Sequence, residues 1–404
     1  MMPEVALPLN AREPARTMVP ISRRDVTFAV GMYLLSRAVI GAGSALYLLA
    51  HHLPLASLPY IALDWTMVHD DSGWYHFIAS QGYIRQDTPF FPLYPMAMAA
   101  THYVLGLSLT TSGLLIANAS EVLSFILLYR LFRGIAKDDR AARLGVWLYA
   151  LYPFAVFLPS LYTESLFVVL LVGCLLAARA RRNYLAAILG FLAVLARNEG
   201  GLIAVPLLAE LWRERRETGR WNKRGWVALA SLPAALGAYL AYLWIRFGNP
   251  FLFTTEEQLW GRHFALPFVT LVNGFTSLPW LWQHNGLYGH IYYSLEAAFA
   301  VLAVASLAVM FKRVPRSWFW FSVIWVAVPL SDPATGMLSI VGGPRPVVDY
   351  FFSLGRLIIP MFPMFLVWGQ ILARHGAAAR LILYLSGTML CGVSVLIAGH
   401  VFLA

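Results

Sequence analysis

Apolar stretches of about 17–25 residues recur along this chain, the length that lets a helix cross the hydrocarbon core of a bilayer. The clear ones run roughly over 26–50, 110–132, 143–160, 163–180, 184–197, 200–212, 225–246, 290–311, 316–331, 353–373 and 379–402. Of the 404 residues 59% are hydrophobic and only 12% charged, against about a quarter charged in soluble domains. A soluble single domain is excluded. The expected fold is an all-α polytopic membrane protein with about 11 transmembrane helices. Residues 1–24, rich in proline and arginine, lack the apolar core of a secretory signal. They read as a disordered cytoplasmic tail ahead of one membrane domain over 25–404.

The formal net charge of +10 follows location rather than nucleic-acid binding. Basic residues sit in short runs between apolar segments, the pattern of the positive-inside rule. Of the 30 Lys and Arg, 23 fall on one side: the tail, the 130–143 loop, 179–182, 213–224, 312–316, and Arg374 with Arg380. Parity between these runs makes the apolar stretch 89–107 an interfacial or re-entrant helix. Outer loops then span roughly 51–109, 247–289 and 332–352. Seven arginines break the rule: Arg37, Arg85, Arg197, Arg246, Arg262, Arg345 and Arg356. A shared anionic ligand is one reason for arginine outside; snorkelling to headgroups is the ordinary one. Cys174 and Cys391 lie in apolar segments without metal-ligand spacing and read as packing residues.

The first outer loop holds His69-Asp70-Asp71-Ser72-Gly73-Trp74-Tyr75, then Ile78-Ala79, Gly82-Tyr83 and Phe90-Phe91-Pro92-Leu93-Tyr94-Pro95. Adjacent carboxylates beside tryptophan and tyrosine suit a general base facing a polyhydroxylated substrate. A solvated turn in an aromatic belt is the plainer alternative. Further on come Leu151-Tyr152-Pro153-Phe154, Tyr162-Thr163-Glu164-Ser165-Leu166-Phe167, Ala196-Arg197-Asn198-Glu199-Gly200, and Ser353-x-x-Arg356 with Phe362-Pro363. In this order, over about 26–373, these blocks resemble bacterial relatives of the GPI mannosyltransferase II (phosphatidylinositol-glycan class V) family of GT-C glycosyltransferases. The departures are His69-Asp70 where relatives have an arginine and a tryptophan, and Asn198-Glu199 where they have a Pro-Thr pair.

The resemblance implies an inverting transfer of a sugar, mannose in the family, from a polyprenyl-phosphate donor to an acceptor hydroxyl at the outer membrane face. Asp71 occupies the catalytic position, with Asp70 the alternative base or its tuning partner. No cofactor is expected, a divalent cation between Asp70 and Asp71 being the unfavoured alternative. Arg197, Arg356 and Arg345 are candidates for the donor phosphate, because a guanidinium holds phosphate bidentately. Glu164, Trp74, Tyr75, His69 and Tyr162 are candidates for substrate binding. Glu164 also suits a helix N-terminus, while Glu121, in mid-span, suits a bond to a neighbouring helix. Arg262, His263 and His290 are weaker candidates. The partners expected are the lipid-linked donor, a glycan, glycolipid or protein acceptor, and membrane lipids, with no nucleic acid. The implied location is the inner membrane, N-terminus cytoplasmic. Rival classes are a flippase for an anionic lipid-linked saccharide and a non-catalytic subunit of a glycosylation complex. The flippase should place its charges at the bilayer midplane.

Overall fold

Long runs of leucine, alanine and valine with few interior charges favour helix once the backbone must satisfy its own hydrogen bonds in lipid. The computed structural model, described here for residues 21–284, 286–335 and 348–399, is accordingly almost wholly helical. In chain order the helices are α1 (Arg23–Ala50), α2 (Leu58–Tyr60), α3 (Ser72–Gln81), α4 (Leu93–Leu105), α5 (Leu109–Ala136), α6 (Asp139–Ala150) and α7 (Glu164–Arg179). They continue as α8 (Asn183–Ala196), α9 (Ala204–Thr218), α10 (Gly225–Phe247), α11 (Leu252–Glu257), α12 (Pro267–His284), α13 (Gly286–Met310) and α14 (Arg316–Leu330). The last are α15 (Leu354–Leu357), α16 (Pro363–Leu372) and α17 (Gly376–Ala398). A two-residue pairing, β1 (Ala334–Thr335) with β2 (Val348–Asp349), is antiparallel.

Five of these, α1, α5, α10, α13 and α17, are long and apolar enough to cross a membrane. This is a membrane-embedded helical protein. Several boundaries differ from the sequence reading. α1 begins at Arg23, where Ser22 and Asp25 form a capping box, so the expected tail gives up its last residues to the helix; residues 1–20 lie outside the described residues. The apolar segment 143–160 is not one helix. α6 stops at Ala150, about 18 Å long, and Pro153 and Pro159 sit in a buried irregular stretch whose Leu161 N–H donates to the Met67 carbonyl. Segment 353–373 likewise breaks between α15 and α16, around Pro360 and Pro363. The expected outer loop 247–289 contains α11 and α12, the latter an 18-residue helix. Stretch 89–107 becomes α4, 13 residues, too short to span.

Packing brings distant parts of the chain together. α8 lies between α7 and α10, α5 packs on α6 and α7, α6 on α16, and α1 on α17. Glu121 of α5, fully buried, accepts from Arg37 of α1 (3.1 Å) and Ser36 (3.2 Å). The carboxylate bonds a neighbouring helix, as expected of it, and Arg37 is thereby committed away from any outer site. Arg85 pairs with Glu256 (3.7 Å) and Arg246 lies over the Phe247 ring. The seven exceptional arginines therefore do not share one ligand.

Candidate functional site

The first-loop motif forms a tight turn with His69 and Ser72 buried and Asp70 and Gly73 exposed. Asp70 adopts φ 44°, in the left-handed region that Asp tolerates better than most residues. Ser72 closes the turn: its N–H donates to the His69 carbonyl (2.9 Å) and its hydroxyl accepts from the His69 N–H (3.1 Å). Asp71 is thereby set at the N-cap of α3, yet its carboxylate makes no capping bond to that helix. The Tyr162 hydroxyl accepts from the Asp71 N–H and donates to the His69 carbonyl, both at 3.1 Å. The turn is clamped from the far side of the α6–α7 break.

With capping declined, the Asp71 carboxylate points at Arg356, whose Nη1 donates to Oδ2 at 2.9 Å. Nε of the same guanidinium donates to Oε1 of Glu164 at 2.8 Å. Arg197, in extended conformation between α8 and a 3-10 turn, donates from Nη1 to that same oxygen at 3.1 Å and pairs with Glu199 at 3.5 Å. Glu164 is the first residue of α7 and is 1% exposed; among the described residues its Oε2 has no hydrogen-bond partner. The Arg356 guanidinium lies over the rings of Tyr162 (4.7 Å) and Phe157 (5.3 Å), a cation–π cradle that partly replaces lost hydration.

The turn carrying Arg356 is itself held by side chains. Ser353 enters it at φ 56°. The Gly355 N–H donates to Glu296 (2.8 Å), the Gly355 carbonyl accepts from Tyr152 (2.7 Å), and Trp325 donates to the Leu357 carbonyl (2.8 Å). A Cβ on Gly355 would collide with the Phe154 ring. The Leu151–Phe154 motif thus supports the Ser353–Arg356 motif about 200 residues away, which explains the chemistry of both.

A cavity of about 200 Å³ opens beside this network. Asp71, Arg197 and Arg356 form its charged side; Leu202, Trp325, Val328, Pro329 and Leu357 form an apolar wall. Tyr75, Phe90, Phe91 and Trp260 add an aromatic edge, and Glu199, Glu257, Arg262 and Asp332 complete it. Arg262 is tied to the Asp332 carbonyl (2.7 Å) and carboxylate (3.4 Å) and covers the Phe352 ring. Burial, then the charge of Glu164, pushes the Tyr75 hydroxyl above its usual range, so it remains a protonated donor. Burial, then Asp332 and Glu199, pushes Glu257 up to about 7.

Of the expected substrate residues only Tyr75 reaches the cavity. Glu164 and Tyr162 stand behind it as supports. His69, 3% exposed in its side chain, packs against Phe157 and Tyr162. Trp74 stacks on Phe90 and meets Trp260. Asp70 turns to His69 Nδ1 (3.1 Å) instead of joining Asp71, so the two carboxylates are engaged by different partners. Arg345 lies outside the described residues. His263 approaches Gly261 and Thr335, and His290 stacks on Trp282; neither lines the cavity. Among the described residues no three His, Cys, Asp or Glu side chains gather as a metal site. Glu257, Trp260 and Asp332 were not anticipated; the one signal was an acid pair, Glu256-Glu257, three residues ahead of Trp260-Gly261-Arg262 in the stretch 247–289. Comparison with protein-family models and with curated proteins finds no match to this chain.

Proposed function

We propose that the chain is an inverting GT-C-type glycosyltransferase with about 11 membrane crossings, the shorter helices included. It moves a sugar, by resemblance mannose, from a polyprenyl-phosphate donor to an acceptor hydroxyl at the outer face. The observation that carries this reading is one cavity edge where a carboxylate, Asp71, and two arginines, Arg197 and Arg356, meet beside an apolar wall. A lipid phosphate and a sugar need those three chemistries together.

In the reaction the acceptor oxygen attacks the anomeric carbon and gives its proton to Asp71. The bond from that carbon to the phosphate oxygen breaks on the opposite face, and polyprenyl phosphate leaves with the electron pair. Arg356 and Arg197 receive the charge that develops there, the role preorganised cations play best in a site shielded from water. Arg356 holds Asp71 in the free protein and turns to phosphate when the donor arrives, which frees the base at that moment. A positioned base contributes about 10²–10⁴-fold in rate.

The test is transfer from radiolabelled polyprenyl-phosphate mannose by the purified full chain, with Asp71→Asn beside it. The variant should lose about 10²–10⁴-fold in turnover with an unchanged elution profile. Undiminished transfer in Asp71→Asn overturns the assignment. Donor movement across proteoliposomes without transfer would favour the flippase class instead.

A further inference from the structure

Glu257 stands apart from the ion-pair network. It borders the cavity half-buried and, among the described residues, its carboxyl makes no hydrogen bond or ion pair. Three residues later Trp260 also borders the cavity, half-buried, with Trp74 and Phe90 meeting it edge-on at 5.4 Å and 6.1 Å. Both come from the α11 segment, which is fastened in place. The Thr335 N–H donates to the Gly261 carbonyl (2.8 Å), and Arg262 bridges to Ala334. Gly261 has φ 72°, and a Cβ there would strike the Thr335 backbone, so glycine is required for this docking. An unpaired carboxyl and an indole are thus held rigidly on the aromatic edge that Tyr75, Phe90 and Phe91 continue.

We infer that the Glu257–Trp260 edge is the acceptor subsite and that it takes an uncharged carbohydrate. This inference rests on the transferase reading. The carboxyl accepts sugar hydroxyls, of which it can hold more than one. The indole offers an apolar surface with one polar tip, matched to a sugar ring's C–H face. Burial first, then Asp332 and Glu199, raises Glu257's proton affinity, with Arg262 opposing them; Arg262 itself pairs with Asp332. A phosphate on the acceptor is disfavoured at this edge, where Arg262 is engaged by Asp332 and Glu257 brings no cation of its own, while Arg197 and Arg356 on the cavity's charged side serve the donor in the proposed reaction.

The probe is octyl α-mannoside with the full chain in detergent, wild type against Glu257→Gln and Trp260→Ala. Saturation-transfer NMR reads binding without turnover; transfer kinetics with polyprenyl-phosphate mannose read KM for each substrate. Glu257→Gln should raise KM for the mannoside about ten-fold, as for loss of a hydrogen bond to a charged group, and Trp260→Ala should raise it through loss of the aromatic contact surface, with KM for the donor unmoved in both. The binding signal should weaken in parallel. Signal that is absent from the wild type, or unchanged in both variants, overturns the subsite. Absence of transfer with a variant-sensitive binding signal overturns the transferase reading alone.

Discussion

Oε1 of Glu164 accepts from two arginines, Nε of Arg356 at 2.8 Å and Nη1 of Arg197 at 3.1 Å. One buried oxygen therefore sets the spacing of two cations drawn from segments about 160 residues apart. Removing Glu164 leaves Arg356 with Asp71 and Arg197 with Glu199, so the cost falls below the about 3–5 kcal/mol of a buried pair whose remaining charge is stranded. Glu164→Ala should lower the thermal unfolding temperature clearly in detergent, while Glu164→Gln, which keeps the acceptor oxygen, should retain part of that loss. Equal melting of wild type and Glu164→Ala would show that the pair carries no stability.

Gly355 offers a way to disturb Arg356 without touching it. A methyl there meets the Phe154 ring, and overpacking of this kind costs about 1–3 kcal/mol. Gly355→Ala should lower the melting temperature and reduce transfer; Gly355→Ala with Phe154→Leu should recover both. Transfer assays and thermal melts on the single and double variants check this.

The proton on Glu257 makes stability depend on pH. Its folded value is about 7, against about 4.3 in an unfolded chain. Between those values the folded state binds the proton more tightly, so this residue's contribution falls as pH rises and levels off above 7. Glu257→Gln removes that contribution. The variant should melt above wild type at pH 8 and close to it at pH 5, read by differential scanning fluorimetry. A difference that does not vary with pH would refute the assignment.

Arg37 and Glu121 form a second buried pair, remote from the cavity, between α1 and α5. Arg37→Ala strands Glu121 and should cost about 3–5 kcal/mol, whereas Arg37→Met with Glu121→Leu should restore most of the loss. Thermal melts of the three proteins decide it.

Hydropathy made the helical membrane architecture legible, because a bilayer imposes length and polarity on each segment. It did not reveal the break after Ala150: Leu151–Leu161 is as apolar as a span, yet Pro153 and Pro159 deny helix and Ser160 bonds locally to the Val156 carbonyl. α12 escaped notice because Asn273, Thr276 and Pro279 dilute its apolar run. In the site, Asp71 stood out through its motif, Glu164, Arg197 and Arg356 as charges at the ends of apolar segments, and the fold unites them. Tyr162 looked like a substrate contact and is instead a clamp, since burial and backbone partners are three-dimensional properties. Glu257 showed in the sequence only as half of an acid pair; its place at the cavity depends on how the Gly261–Arg262 segment meets β1.

The bond between Arg356 and Asp71 joins residues 285 apart, which has a consequence for synthesis. At about 5–20 residues per second, Asp71 and Glu164 enter the membrane well before their shared cation exists. A chain stalled before residue 356 has Arg197 but not Arg356 to pair with Glu164, and Asp71 lacks its partner, so the ion-pair network closes only when the last fifty or so residues are made.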